Sequence, residues 1–417
     1  MKKNISVFLF LFVYIVALIT SYLYFVSPLF SYMGLRTDVN MYKLFLGLVA
    51  IVFIYFLIDK NNKASNQLSY LLFINSVIPG LIIGGLANYS YKFYSIYISA
   101  YFLLYLLLKI LPTLKIKTIR LSYFSEDYFI YGLVFITFLI LSYQVFISGG
   151  PDLRAFSSDD LYELRSELNL SGVMAYLINW LGKLFIPILL VYAMYYKKPI
   201  LAIVAVLFQI LLFSTTGQKT LLFSIALIII GIFLVRINYW YKGLPLFYTF
   251  CLLVSAIFYT FFNSIFGIGM FSVRQSALPQ YISSKYIDFF AQNQYLNFSE
   301  GMIGSLFNIK EVYSIPIANI ISGNMLVNEN TGFISDAFSN GGYIAVYIFI
   351  LLAVFLFKYM DSLTHSSKNG GFYVCLMLYP IIFLNDSSLL TLLLTHGLFL
   401  LLIYMYLLRS LESQNKI

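Results

Sequence analysis

Apolar runs close to the length needed to cross a bilayer, about twenty residues each, recur along nearly the whole chain. They fall at roughly 5–26, 41–58, 68–87, 92–111, 128–147, 173–196, 199–215, 219–235, 244–265, 341–358, 371–386 and 388–408. Only 10% of the 417 residues are charged and 61% are hydrophobic, whereas soluble domains carry about 25% charged residues. The expectation is an all-α polytopic membrane protein of about 12 transmembrane helices. The first run is too long for a cleaved signal and no small-x-small site follows it, so it reads as an uncleaved span.

The net charge of +9 does not point to nucleic acid, because the cations gather at the ends of apolar runs, as topology signals do. With the N-terminus inside, the inner segments hold Lys2 and Lys3, Lys60 and Lys63, Lys109, Lys115, Lys117 and Arg120. They continue with Lys197 and Lys198, Arg236 and Lys242, Lys358 and Lys368, and Arg409 and Lys416, sixteen of the 26 basic residues. Both termini are then cytoplasmic. Cys251 and Cys375 lie inside apolar runs, so neither a disulfide framework nor a metal site is implied. No Walker loop, HExxH, GxSxG or Asp-x-Asp pair occurs, and neither metal nor cofactor is expected.

One polar stretch, 266–342, is far longer than a turn between spans, and loops of that size are usually functional or disordered. It is rich in Tyr, Phe and Ile and reads as a folded extracytoplasmic cap; a shorter loop covers 148–172. The chain is expected to form one membrane domain, 1–417. No internal repeat and no matching pair of interrupted helices is visible, which disfavours transport. Gly80 and Gly84, with Gly85 beside them, form a GxxxG that reads as close helix packing.

The candidate site residues are polar groups on the outer side. In GGPDLRAFSSDDLYELRSELNLSG, Arg154 and Arg165 are candidates for an anion, or equally partners of Asp152, Asp159, Asp160, Glu163 or Glu167 on a solvated face. Lys219, at the turn Thr216-Gly217-Gln218-Lys219-Thr220, points at an anion between helices or snorkels to the headgroups. Arg274 opens RQSALPQYISSKYIDFF, whose Ile282, Tyr286 and Phe289 or Phe290 recur at helical spacing. That segment should dip its apolar face into the bundle, leaving Arg274 near the membrane surface. There its planar fork suits phosphate, or anchors a lipid headgroup. Asp336 and Glu300 are candidate bases or binders of sugar hydroxyls, or else helix caps and lysine partners. Lys183, some ten residues into a span, is a functional candidate by its position, with Tyr176, Asn179 and Pro187 on its face. His396 reads as a hydrogen-bonded core histidine.

Four features together resemble the O-antigen polymerase (Wzy-type) family, in its oligosaccharide repeat unit polymerase branch. They are the loop GGPDLRAFSSDDLYELR, the turn TTGQKTLLFSIALIIIG, the segment VRQSALPQYISSKYIDFF and NTGFISDAFSNGG before the next span. The second feature carries Lys219 where members commonly have arginine. The resemblance implies a GT-C-like membrane fold in the bacterial cytoplasmic membrane and a metal-independent glycosyltransferase. Such an enzyme moves a glycan from undecaprenyl pyrophosphate to a sugar hydroxyl of a second lipid-linked repeat unit, with a chain-length regulator and a flippase as partners. Arg274, Arg154, Arg165 and Lys219 would cradle the pyrophosphate, and Asp336 or Glu300 would activate the acceptor. Lys183, Tyr281, Lys285 and Asn330 would contact substrate. The alternatives are an O-antigen ligase and a flippase of the lipid-linked repeat unit.

Overall fold

Within hydrocarbon every backbone N–H and C=O has to find a partner in its own segment or a closed barrel, and the described residues of this chain are helical, without a strand. The computed structural model describes residues 2–114, 116–117, 119, 125–156, 172–218, 220–323, 329–365, 367 and 369–414. Among the described residues, eight helices are long and apolar enough to cross a membrane: Ser6–Met33, Ala64–Leu86, Tyr91–Ile110, Glu126–Ile147, Gly172–Tyr195, Pro199–Thr216, Trp240–Phe262 and Phe333–Thr364. Met41–Leu57, Ser224–Arg236, Gly370–Phe383 and Leu398–Leu411 are shorter apolar helices. Each expected run overlaps one of these twelve, and the chain is an all-α, multi-pass membrane protein by length and composition.

The residues form two compact units. The first comprises Met1–Pro112, Tyr241–Lys358 and Ile381–Leu389; the second comprises Thr113–Trp240, Tyr359–Pro380 and Leu390–Ile417.

Interrupted helices, not foreseen from the sequence, occur in both units. Wide π-type turns occupy Tyr22–Val26, Phe73–Val77, Leu181–Phe185 and Ile268–Ala277, and in each case a proline follows at the second position beyond: Pro28, Pro79, Pro187 and Pro279. Proline lacks an N–H and its ring collides with the carbonyl one turn back, and a wider turn relieves that collision. The carbonyls left without an N–H need other donors. In the first unit Tyr14 donates its hydroxyl to the Ile74 carbonyl at 3.2 Å, and Asn385 donates Nδ2 to the Gln275 carbonyl at 3.2 Å. In the second, Gln209 donates Nε2 to the Gly182 carbonyl at 3.1 Å. The two expected spans at 371–386 and 388–408 are also broken. Gly370–Phe383 stops before the polar run Asn385-Asp386-Ser387-Ser388, Leu389–Leu394 follows, and Leu398–Gln414 starts after Gly397, whose φ is +79°.

Packing in the first unit is tightest where glycines face backbone. A Cβ on Gly85 would lie 2.7 Å from the Leu44 Cα, and one on Gly47 would lie 2.7 Å from the Leu81 carbonyl oxygen. Two helices therefore touch main chain to main chain at Gly85 and Gly47, whereas Gly80 and Gly84 of the GxxxG face the side chains of Gln280, Tyr97, Tyr94 and Tyr89. Polar caps start Met41–Leu57 and the next helix Tyr91–Ile110: the Asn40 side chain accepts from the Lys43 N–H at 3.1 Å, and the Ser90 hydroxyl accepts from the Phe93 N–H at 3.1 Å.

The stretch 266–342 is divided. Its first part, the π turn Ile268–Ala277 running directly into the helix Leu278–Phe290, is packed among the helices of the first unit. Ser272 meets Ser21 at 2.8 Å, Gln275 donates to Asn75, and Gln280 donates to Asn385 at 2.7 Å. Asn75 is halfway along Ala64–Leu86, roughly 16 Å from its Leu86 end at 1.5 Å per residue. This inserted segment therefore reaches the middle of a membrane-length helix. The remainder holds the short helices Gly301–Phe307 and Ile317–Ser322 and leads into Phe333–Thr364, which is kinked at Gly341 and at Gly342, with φ +63° at the latter.

Candidate functional site

Helical spacing sorts the inserted segment into faces. Ser272, Val273, Ser276, Ala277, Leu278, Pro279, Gln280, Ile282, Ser283, Ser284, Tyr286 and Ile287 are buried, whereas Arg274 is exposed and Tyr281 and Lys285 are partly open. Tyr281 and Lys285, four apart, share one stripe of the helix Leu278–Phe290, and Arg274 is exposed in the π turn that leads into it. Three residues singled out from the sequence thus lie along the face that the packing leaves uncovered.

Arg274 makes no hydrogen bond or ion pair with any described residue, although its neighbour Gln275 is held by Asn75. The Gln275–Asn75 bond sets the neighbouring backbone beside the middle of Ala64–Leu86 rather than beside either of its ends. Charged side chains at that depth are costly and normally serve a cavity, a partner or a substrate. Tyr281 packs against Gly34, where an added methyl group would overlap its hydroxyl and where φ is +86°, so only glycine fits. Lys285 lies 5.3 Å from the Tyr281 ring centroid and 2.7 Å from the Glu329 carboxylate, an ion pair with side chains about a quarter exposed or less.

The two candidate carboxylates lie together, at the other end of the segment. Asp336 and Glu300 are near enough to feel one another's charge, and Tyr286 feels both. Tyr286 is twelve residues beyond Arg274, about 18 Å along a helix. The guanidinium and the carboxylates do not form one cluster. Glu300 accepts from the Ile317 N–H at 3.0 Å at the start of Ile317–Ser322, the cap arrangement that was its alternative reading. The Asp336 carboxylate has no hydrogen-bond partner among the described residues, and Ser339 and Asn340 bond to its carbonyl instead. Asn330 is exposed beside Thr331, whose hydroxyl joins those of Ser283 and Ser335 in a closed buried ring with edges of 3.3, 2.6 and 3.0 Å.

Burial pushes the Glu300 carboxyl above its ordinary value of 4.5, and the Ile317 N–H partly offsets this. An acid raised in the folded state binds its proton more tightly there than in the unfolded chain. Stability is therefore highest below pH 4.5 and declines as pH rises through the folded value. Glu300→Gln keeps the bond to Ile317 and removes the charge. Its melting temperature is expected to exceed that of the wild type at pH 7 and to match it at pH 4 in thermal scans.

In the second unit Arg154 is engaged locally. Its Nη2 and Nε each lie 2.8 Å from Asp152 Oδ2, and its N–H donates to Asp152 Oδ1 at 2.7 Å. This is the ion-pair alternative, and the guanidinium holds the Asp152 carboxyl below its ordinary value. Lys183 lies in the π turn before Pro187, with Nζ 2.8 Å from His396 Nε2, so the histidine is hydrogen-bonded, as expected. Asn179 turns to its own helix, donating to the Ala175 carbonyl at 2.9 Å. Arg165 and Lys219 lie outside the described residues.

Sequence reading missed the amide cluster of Asn75, Gln275, Gln280 and Asn385. The signal was available: Asn75, Lys183 and Gln275 each precede a proline by four. That places a polar side chain where the proline opens the helix.

Comparison with known families, curated proteins and solved structures gave no match. The reading of function therefore rests on this chain's own residues.

Proposed function

We propose that the protein polymerises lipid-linked oligosaccharide repeat units. It transfers the glycan from undecaprenyl pyrophosphate to a sugar hydroxyl of a second lipid-linked unit, at the extracytoplasmic face of the bacterial cytoplasmic membrane, with both termini cytoplasmic. The observation that carries the reading is Arg274: an exposed guanidinium without a partner among the described residues, next to the mid-helix Gln275–Asn75 bond, on the uncovered face of an inserted segment. A diphosphate leaving group gains negative charge as its bond to the sugar breaks, and a preorganised guanidinium stabilises that charge most where water is scarce. Tyr281 and Lys285 continue the stripe toward Glu300 and Asp336. The two ends, about 18 Å apart, suit a substrate with an anion at one end and several sugars at the other. At that separation the carboxylates grip sugar hydroxyls, and the base that activates the acceptor is left unassigned.

A second reading has an observation in its favour. Interrupted helices in both units are the usual construction of transporter sites, and a flippase of the same lipid-linked unit would use Arg274 for the same diphosphate. The glycolipids of a deletion strain separate the two. Polymerase loss leaves single repeat units on the cell surface, whereas flippase loss traps lipid-linked units inside. Long glycans in that strain would contradict both.

A further inference from the structure

A second arginine, Arg36, stands close to the stripe in the chain's packing, two residues beyond the Gly34 that meets Tyr281. Arg36 belongs to the seven-residue connection 34–40 between Ser6–Met33 and Met41–Leu57. Its backbone is tied down on every side. Tyr22 donates its hydroxyl to the Arg36 carbonyl at 2.9 Å, the Arg36 N–H donates to the Gly34 carbonyl at 3.0 Å, and the Asp38 N–H donates to the Leu86 carbonyl at 2.9 Å. The side chain, by contrast, is exposed and makes no hydrogen bond or ion pair with any described residue. Asp38, the nearest acid in sequence, accepts instead from Asn88 Nδ2 at 2.8 Å and feels the Lys43 charge. The main chain fixes where the arginine starts, and the guanidinium, committed to no described residue, is free to turn to a ligand.

Its neighbour is the site described above. Gly34, two residues before Arg36, is the residue against which the Tyr281 hydroxyl packs. Tyr281 is seven residues beyond Arg274, a rise of about 10 Å. Arg274 and Arg36 therefore flank Tyr281, one deeper along the segment and one on the adjoining connection. In the proposed topology this connection is outside, where short loops normally avoid arginine, so its charge runs against the pattern of the other cations.

We infer that Arg36 is a second guanidinium of the anion site, binding the phosphate oxygens of a lipid diphosphate together with Arg274, with the Tyr281 hydroxyl between them as a donor. The inference rests on the proposed reading of Arg274 as a diphosphate ligand. The shared chemistry is phosphate, which a phospholipid headgroup also offers.

The test uses the purified full-length chain in nanodiscs of phosphatidylcholine, titrated with farnesyl diphosphate, and repeated with phosphatidylglycerol added to the discs. Arg36→Ala is expected to weaken binding at least tenfold, with Arg36→Lys intermediate because the fork is lost. The ligand-free melting temperature should not move, since no internal bond is broken, and phosphatidylglycerol should not compete. Unchanged affinity in Arg36→Ala alongside loss in Arg274→Ala overturns this inference and leaves the reading of Arg274 standing. An Arg36→Ala effect seen only with phosphatidylglycerol makes the residue a headgroup anchor, which also overturns it. No binding by the wild-type chain, or no loss in Arg274→Ala, removes the underlying reading as well.

Discussion

Arg274→Ala is expected to accumulate in the membrane at the wild-type level while cells carry single repeat units in place of long glycan. Both halves of that result follow from the surroundings of the side chain. It makes no bond within the described protein and is exposed, so removing it strands no partner and opens no core cavity. The segment that bears it keeps its own ties, through Ser272 to Ser21 and through Gln275 to Asn75. Losing one preorganised donor to a developing anion lowers turnover about a hundredfold to a thousandfold, enough to stop chain growth. Arg274→Lys retains the charge without the planar fork and should fall between the two. Immunoblots of membranes and gel profiles of the glycan check both parts, and wild-type chain lengths in Arg274→Ala would take the residue out of the site.

Asn385→Leu should give the opposite pattern, a protein that fails to hold its fold. Asn385 is 4% exposed, accepts from Gln280 Nε2 at 2.7 Å and donates to the Gln275 carbonyl at 3.2 Å. Leucine leaves both groups unpaired, and Gln280 is fully buried, with its amide oxygen already lacking a partner among the described residues. Each stranded buried group costs about 1–3 kcal/mol, so the pair amounts to several kcal/mol of a stability that is itself about 5–15 kcal/mol. The carbonyl is the more telling of the two, because Pro279 has already deprived that turn of a backbone donor. The expected result is a large drop in melting temperature in detergent and loss of protein from membranes. Asn385→Ala should behave alike, which separates lost hydrogen bonds from crowding by leucine. Wild-type stability in both would mean that the amide cluster does not anchor the inserted segment.

The helices were legible in the sequence because the bilayer imposes their length: each apolar run overlaps a helix, though Phe333–Thr364 extends well beyond 341–358 and the run 388–408 is broken before Leu398. The breaks within them were less visible, since hydropathy averages over a window and a single proline hardly changes the mean. A polar residue four before a proline, as at Asn75 and Pro79 or Gln275 and Pro279, is the pattern that would have located them. The insertion of residues 268–290 was half foreseen. The spacing of Ile282, Tyr286 and Phe289 or Phe290 announced a buried face, and Phe290 is the one buried, but the depth is set by the partners Ser21, Asn75 and Asn385, which lie far away in sequence. The same limit explains Arg154. Its residue type suited an anion, yet Asp152 holds it, and that pairing is visible only in the geometry.

The central claim is that this chain joins lipid-linked repeat units through a diphosphate bound at Arg274. Its most direct test is purified wild-type protein in liposomes supplied with undecaprenyl-diphosphate-linked repeat units of the host glycan, followed on a gel. The account predicts a ladder of lengthening products from the wild type and single units from Arg274→Ala. Single units from both, or ladders from both, would contradict it.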